Sequence, residues 1–416
     1  MQHAPTTATG VAVPADIAQP LAFTQATWRF FANERVTPAA LVAPLREFAR
    51  QQIGDDPYVL AVVDWSKMDY KNHTAKQDVV QLTHKHDIGY ELTTQLLVSA
   101  RTGHPIAPIE QHLKTADGYL STADTAPSAE EHRLEQITPL MRSAAAMNLS
   151  ATIVHLIDRE ADSVFHFRQW SSEGFRFLVR ADERRVQWRG REVKYDKIAE
   201  QLEAENAFYQ SRKVLIKGKP GIQHVAETQV VLERPAQRKV GNRSVLVPGI
   251  SMTLRLVIVK VVDPVSGKEL SRWYLLSNVP YDVPSETLAL WYYWRWNIES
   301  YFKLLKSGGQ QLEHWQQESG LAVLKRLLVA SMACSVVWSL QQSDDTASVA
   351  FQSVLVRLSG KRLKRGHPPT AGVLLSGLFV WLRMVDFLTD IDFDMDKITQ
   401  MNDTLNTLLP RLRKNV

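Results

Sequence analysis

A single cysteine, Cys334, leaves this 416-residue chain with no disulfide framework and no cysteine-based zinc site within one chain, which fits a reducing cytoplasm. The N-terminal stretch MQHAPTTATGVAVPADIAQP lacks the basic-then-apolar layout of a secretory signal, so export is not expected. Long uninterrupted apolar runs are also missing. The most apolar stretch, residues 321–340, carries Lys325 and Arg326 near its start, and the remainder reads better as a buried helix than as a membrane span. No internal repeat stands out. Neither sign of charge dominates: 49 Lys and Arg against 44 Asp and Glu give a net charge of +5 and a pI of about 9.1, a lean towards an anionic partner and no more.

What is present is enough apolar sequence, 45% of the chain, for a large core and two or three folded units. Residues 1–20 read as a loose Thr/Ala/Pro/Val-rich tail, and 21–55 as two short helices split near Pro38. YVLAVV (58–63) is a buried strand ending at Asp64. Strands are predicted at 79–82 and 90–98, a helix over 130–147 with a kink at Pro139, a strand over 152–157 ending at Asp158, a helix over 163–170 and a strand over 175–179. Residues 181–275 change character: Val-rich runs alternate with turn signals such as KGKPG and DPVSG, which predicts a mainly antiparallel β unit. Between 181 and 260 there are sixteen Lys and Arg against nine Asp and Glu, so this unit is more basic than the chain as a whole. From Ser285 the pattern is helical, apart from a break around GKRLKRGHPPT. An α/β core (56–180 and 276–318) interrupted by a basic β insertion (181–275), with a helical region over 319–416, follows from this order.

Two aspartates sit directly after predicted buried strands, Asp64 in VVDWS and Asp158 in LIDREAD. Side chains at the carboxyl ends of strands converge on a crevice, and paired carboxylates there suit hard divalent cations. Either aspartate alone reads as a turn residue or helix N-cap; it is the pair that raises the metal-binding reading beside it. A third carboxylate lies in YYWRWNIESYFKLLKSG (292–308). At about 100° per residue, Tyr292, Arg295, Glu299, Lys303 and Lys306 share an arc of about 80° on one helix. Trp294, Ile298, Phe302 and Leu305 form an adjoining apolar stripe. A Glu299–Lys303 surface pair accounts for two of these residues; a metal ligand beside a phosphate-binding track accounts for all five. The histidines of HKHD (84–87) have no third ligand nearby, and KRLKR (361–365) reads as a solvated charge run.

Tyr292, two residues, Arg295, three residues, Glu299, six residues, Lys306 resembles the Y-R-E-K signature of bacterial DDE transposases of the insertion-sequence-four type. Asp158-Arg159-Glu160-Ala161-Asp162 is similar to the same family's second-aspartate motif, and Asp64 to its first catalytic aspartate. Asp64 is followed here by Trp65, where small hydroxyl residues are usual. The resemblance covers roughly residues 57–310, with the β insertion between the second aspartate and the glutamate. It implies a ribonuclease-H-like core in which Asp64, Asp158 and Glu299 bind two Mg²⁺ ions, with Mn²⁺ able to substitute. It further implies cut-and-paste chemistry on double-stranded DNA through a hairpin intermediate, and a homodimeric synaptic complex with the C-terminal helices as interface candidates. The setting it implies is a cytoplasmic, nucleoid-associated protein with no membrane partner. By the same resemblance Tyr292 and Arg295 hold the phosphate of a flipped base, Trp273 stacks on that base, Lys303 and Lys306 contact DNA near the scissile bond, and Arg180 is a further DNA contact.

Overall fold

The computed structural model describes residues 20–123, 133–216, 218–240, 243–363 and 366–390, together with 392, 394, 396 and 398–400. The predicted tail lies almost wholly outside these residues, as do Lys364 and Arg365 of the KRLKR run. In chain order the elements are α1 (Pro20–Ala32), α2 (Pro38–Ile53), β1 (Tyr58–Asp69), β2 (Val80–Gln81), β3 (Ile88–Ser99), β4 (Pro105–Thr115), β5 (Gly118–Ser121), α3 (Ile137–Ala146), β6 (Thr152–Ile157), α4 (Val164–Ser172) and β7 (Arg176–Arg180). There follow β8 (Arg185–Trp188), β9 (Arg191–Lys194), α5 (Tyr195–Ala204), β10 (Tyr209–Ile216), β11 (Lys219–Leu232), β12 (Ala236–Val240), β13 (Arg243–Val247), β14 (Met252–Val262) and β15 (Glu269–Ser277). Helices α6 (Ser285–Trp294), α7 (Asn297–Lys306), α8 (Gly320–Gln342), α9 (Thr346–Leu358) and α10 (Ala371–Asp390) complete the chain.

Contacts divide the chain into two units. The larger takes in residues 31–313 and 317–335 and holds a mixed sheet in the order β5-β4-β3-β1-β6-β7-β15-β14-β11-β8-β9, with β2 on β3 and β10 on β11. β1 and β3 pair antiparallel, whereas β1–β6 and β6–β7 pair parallel. β15 then joins β7 antiparallel, so β8–β11, β14 and β15 of the basic β region extend the same sheet, while β12 and β13 pair with each other as a separate two-stranded sheet. The central strands are apolar on both sides, as strands covered on both faces must be: positions 59–63 of β1 are all buried. One face packs Ile157, Val179 and Leu276 against Met141 of α3, Trp170 of α4, and Tyr195 and Leu202 of α5. On the other face lie α6 and α7. Trp291 Nε1 donates to Ala100 O at 2.9 Å, and Tyr301 Oη accepts from Gln111 Nε2 at 2.7 Å.

Several predicted elements change length. β1 does not end at Asp64 but continues to Asp69. Parallel pairing with β6 stops at Val63–Ile157, while antiparallel pairing with β3 carries on from Asp64–Thr94 to Asp69–Gly89. Gly89 is required there, because a Cβ would run into the Met68 carbonyl. The predicted strand at 79–82 shrinks to the two residues of β2. The helix predicted over 130–147 is α-helical only over Ile137–Ala146; a 3₁₀ turn over Arg133–Gln136 leads into it, and Pro139 sits in the first turn of α3, where proline is tolerated. β4, β5 and α5 are not anticipated by the sequence reading.

The smaller unit contains α9 and α10, which pack with Gly377 against the Leu355 backbone and with Phe351 and Trp381 edge-on at 5.4 Å. Helix α8 is long and apolar enough to cross a membrane by length and composition, but 67% of its apolar window is buried inside the protein. The architecture is mixed α/β, with one large sheet and C-terminal helices.

Candidate active site

Strand alternation and register decide which side chains meet. Val63 and Ile157 are paired neighbours, and Ile157 belongs to the α3/α4/α5 core, so Asp64 and Asp158, one residue on, project to the opposite face. Trp65 confirms the alternation by packing against that core. Asp158 follows β6 and caps a single 3₁₀ turn, its Oδ1 accepting from Arg159 N at 2.8 Å. Asp64 Oδ1 accepts from Trp65 N, also at 2.8 Å. Each aspartate therefore has one oxygen held by the backbone and a second, Oδ2, that the backbone leaves to partners within the site.

Glu299 arrives from the helical side. The 292–308 stretch is not one continuous helix: α6 ends at Trp294 and α7 begins at Asn297. Arg295 N and Trp296 N bond three residues back, to Tyr292 O and Tyr293 O, and Asn297 turns its amide away from the helix to Gly103 O at 2.6 Å. Gly103 has no side chain because the Trp294 indole fills that space. The apolar stripe is buried at Ile298, Phe302 and Leu305. The break lies between Arg295 and Glu299 but leaves them in contact.

The three carboxylates converge on the Arg295 guanidinium. Nη1 donates to Asp64 Oδ2 at 2.9 Å; Nη2 donates to Glu299 Oε1 at 3.2 Å and lies 3.5 Å from Asp158 Oδ2. Tyr292 Oη donates to Asp158 Oδ1 at 2.9 Å. Burial raises the Asp64 carboxyl above the ordinary carboxylate value, more than the Arg295 charge and the Trp65 amide lower it, and the charges of Asp158 and Glu299 add to the rise. For Asp158 burial acts in the same direction but loses: Arg295, the Arg159 amide, the Tyr292 hydroxyl and the Arg180 charge hold it below the usual range. Burial likewise raises the Tyr292 phenol. This carboxylate cluster with one central cation is the chemical core of the site.

The remaining predicted residues are distributed around it. Arg180 ends β7 and pairs with Leu275 on the Asp158 side of the sheet, where its charge acts on both Asp158 and Tyr292. Trp273, half-buried, occupies the same face of β15 two residues before Leu275. Lys303 is exposed on α7. Lys306 donates to the Lys67 carbonyl of β1 and lies 3.4 Å from Glu313. His84 and Asp87 form a turn, with His84 N bonded to Asp87 Oδ2 at 3.2 Å.

Residues 56–336 match the sequence model of the family described as Transposase DDE domain. The chain belongs to the DDE transposase family. Membership implies phosphoryl transfer on DNA assisted by divalent metal ions. Among the described residues no group of three or more Asp, Glu, His or Cys side chains is arranged to hold a metal directly; the point shared by Asp64, Asp158 and Glu299 is taken by Arg295. The donors themselves fit a hard divalent cation: all are carboxylate oxygens, and the two aspartates are fixed by backbone amides with Oδ2 directed to a common cation.

A further acidic residue of the DREAD motif braces the site. Asp162, the last residue of DREAD, accepts from Asp182 N at 2.7 Å and pairs with Arg184 at 2.6 Å, tying the turn after Asp158 to the loop after β7. The second acidic residue of that short motif was the available signal.

Proposed function

We propose that the protein is a cut-and-paste transposase of the insertion-sequence-four type, with Asp64, Asp158 and Glu299 as the metal-binding catalytic carboxylates. The observation that supports this most is their convergence: residues from β1, the end of β6 and α7, spread over 235 positions of sequence, aim oxygens at a single cation. The antiparallel β3–β1 pair followed by parallel β6 and β7 supports a ribonuclease-H-like core. Mg²⁺, or Mn²⁺ in its place, would supply activation of the attacking oxygen and stabilisation of the leaving one in an in-line displacement. Tyr292 orients Asp158 through its hydroxyl. Arg180, Lys303 and Lys306 neutralise backbone phosphates around the cut, Arg295 is the guanidinium for the phosphate of an unpaired base, and Trp273 offers that base a ring to stack on. In the sequence of steps, water attacks the phosphodiester at the transposon end and releases a 3′-OH. That hydroxyl attacks the opposite strand to close a hairpin, a second water reopens it, and the 3′-OH then joins target DNA. Two copies of the chain pair the two ends in the cytoplasm of a bacterium.

The test is to incubate the protein with Mg²⁺, a labelled end taken from the DNA flanking its gene, and a target plasmid. Joined products are expected. Cut ends that never join would make it a nuclease, and a shifted band without cleavage would make it a binding protein.

A further inference from the structure

Arg295 spends its donors where a phosphate-binding arginine is not expected to. Its side chain is 5% exposed, and Nη1 and Nη2 together reach all three carboxylates. Its Nε is buried and meets no hydrogen-bond partner, so the hydrogen bonds of the guanidinium go to carboxylates alone, with the Tyr292 ring 5.8 Å from Cζ. The oxygens it touches on the aspartates are those the backbone leaves open, Asp64 Oδ2 and Asp158 Oδ2. Arginine cannot relieve this crowding by losing its proton. A second cation directed at the same oxygens must therefore displace it.

We propose that the Arg295 guanidinium is the resident counter-cation of the carboxylate site, that a divalent cation binds there only by exchange with it, and that this exchange is what frees Arg295 for a DNA phosphate. The inference rests on the three-carboxylate reading above. It gives one side chain two alternative anionic partners. While Arg295 sits among them its charge offsets part of the repulsion between Asp64, Asp158 and Glu299 and keeps the three carboxylates together. Once Arg295 leaves, its fork of donors is available to phosphate, and cation and DNA promote each other's binding through it.

Calorimetric titration of Mn²⁺ into the full chain without DNA tests the exchange. Arg295→Gln removes the competitor and is expected to bind Mn²⁺ on the order of tenfold tighter than the parent. Arg295→Lys retains a charge, and so guards against a glutamine variant that fails to fold. Its ammonium makes single-point contacts, so a gain of about threefold is expected. Asp64→Asn should remove the binding in every background. Asp64-dependent binding that is no tighter in either Arg295 variant than in the parent overturns the exchange and leaves the metal site standing. Binding indifferent to Asp64→Asn, or absent throughout, overturns the three-carboxylate reading itself.

Discussion

Glu299 has 57% of its side chain in solvent, against 21% for Asp64 and 34% for Asp158, so the three carboxylates differ in what their removal does to the fold. Glu299→Gln keeps the shape and leaves the core untouched. Stability should stay within about 0.5 kcal/mol and DNA binding should persist, while strand cleavage is abolished; a melting curve, a gel shift and a cleavage assay on one preparation read all three. His155, three residues before Asp158 in β6, shows the opposite behaviour. It is fully buried, and burial pushes its imidazole down to about 3. Its folded value lies below the unfolded one of about 6.5, so the unfolded chain takes up a proton that the native one refuses. The stability lost as pH falls from about 6.5 towards 3 is at most about 1.4 kcal/mol per pH unit from this residue. His155→Leu should flatten the dependence of the denaturation midpoint on pH in that window, and an unchanged slope would contradict the assignment. Cys334 is likewise buried, with its thiol pushed up to about 12, so iodoacetamide should label it near neutral pH only when the protein is unfolded.

At the scale of elements, the sequence shows what local periodicity encodes and hides what a partner strand decides. β6 and the two N-terminal helices stand where the pattern places them. The spacing of Tyr292, Arg295, Glu299 and Lys306 is local as well, which is why the candidate site was legible. The end of β1 was not, because its last residues are held by β3 after β6 has stopped. β4 contains Pro105 and Pro108, which disguise a strand. Tyr195, Ile198, Ala199 and Leu202 of α5 do keep helical spacing, but over only ten residues set among strands. The break between α6 and α7 depends on the Asn297 bond to Gly103, a contact between segments 194 residues apart. Arg255 of β14 is another such long-range device. Its guanidinium binds Glu227 through Nε and Nη2, at 2.6 and 3.0 Å, and donates to the carbonyls of Val279, Pro280 and Val283 in the segment that leads into α6. Arg255→Ala would strand Glu227 and three carbonyls, at a cost of about 3–5 kcal/mol, visible as a lowered denaturation midpoint. Arg255→Lys should recover only part of it, because an ammonium cannot serve a carboxylate and three carbonyls at once.

At the scale of the molecule, most strands read as an inserted β unit are continuous with the sheet that carries Asp64 through the β7–β15 pairing, which joins residues about a hundred positions apart. Such pairing leaves no mark on local sequence, whereas charge does. The net +5 is small for a protein that acts on DNA, and the excess concentrates in residues 181–260. Affinity for DNA should therefore come from a limited set of phosphate contacts, each releasing counterions. The logarithm of the binding constant should fall linearly with the logarithm of salt concentration, by about 0.9 per phosphate neutralised on duplex DNA. Lys303 is exposed one turn beyond Glu299 and points away from the buried stripe of α7. Lys303→Ala should weaken binding to all duplexes alike and reduce the salt slope by about one contact. Lys306 is tied to the Lys67 carbonyl and Glu313, so Lys306→Ala removes a structural contact along with a charge. A fluorescence-anisotropy series across salt concentrations should separate the two lysines: a change in slope without a change in melting temperature for Lys303, and a change in both for Lys306. An identical slope in parent and Lys303→Ala would remove that residue from the phosphate track and shift the contact to the basic strands.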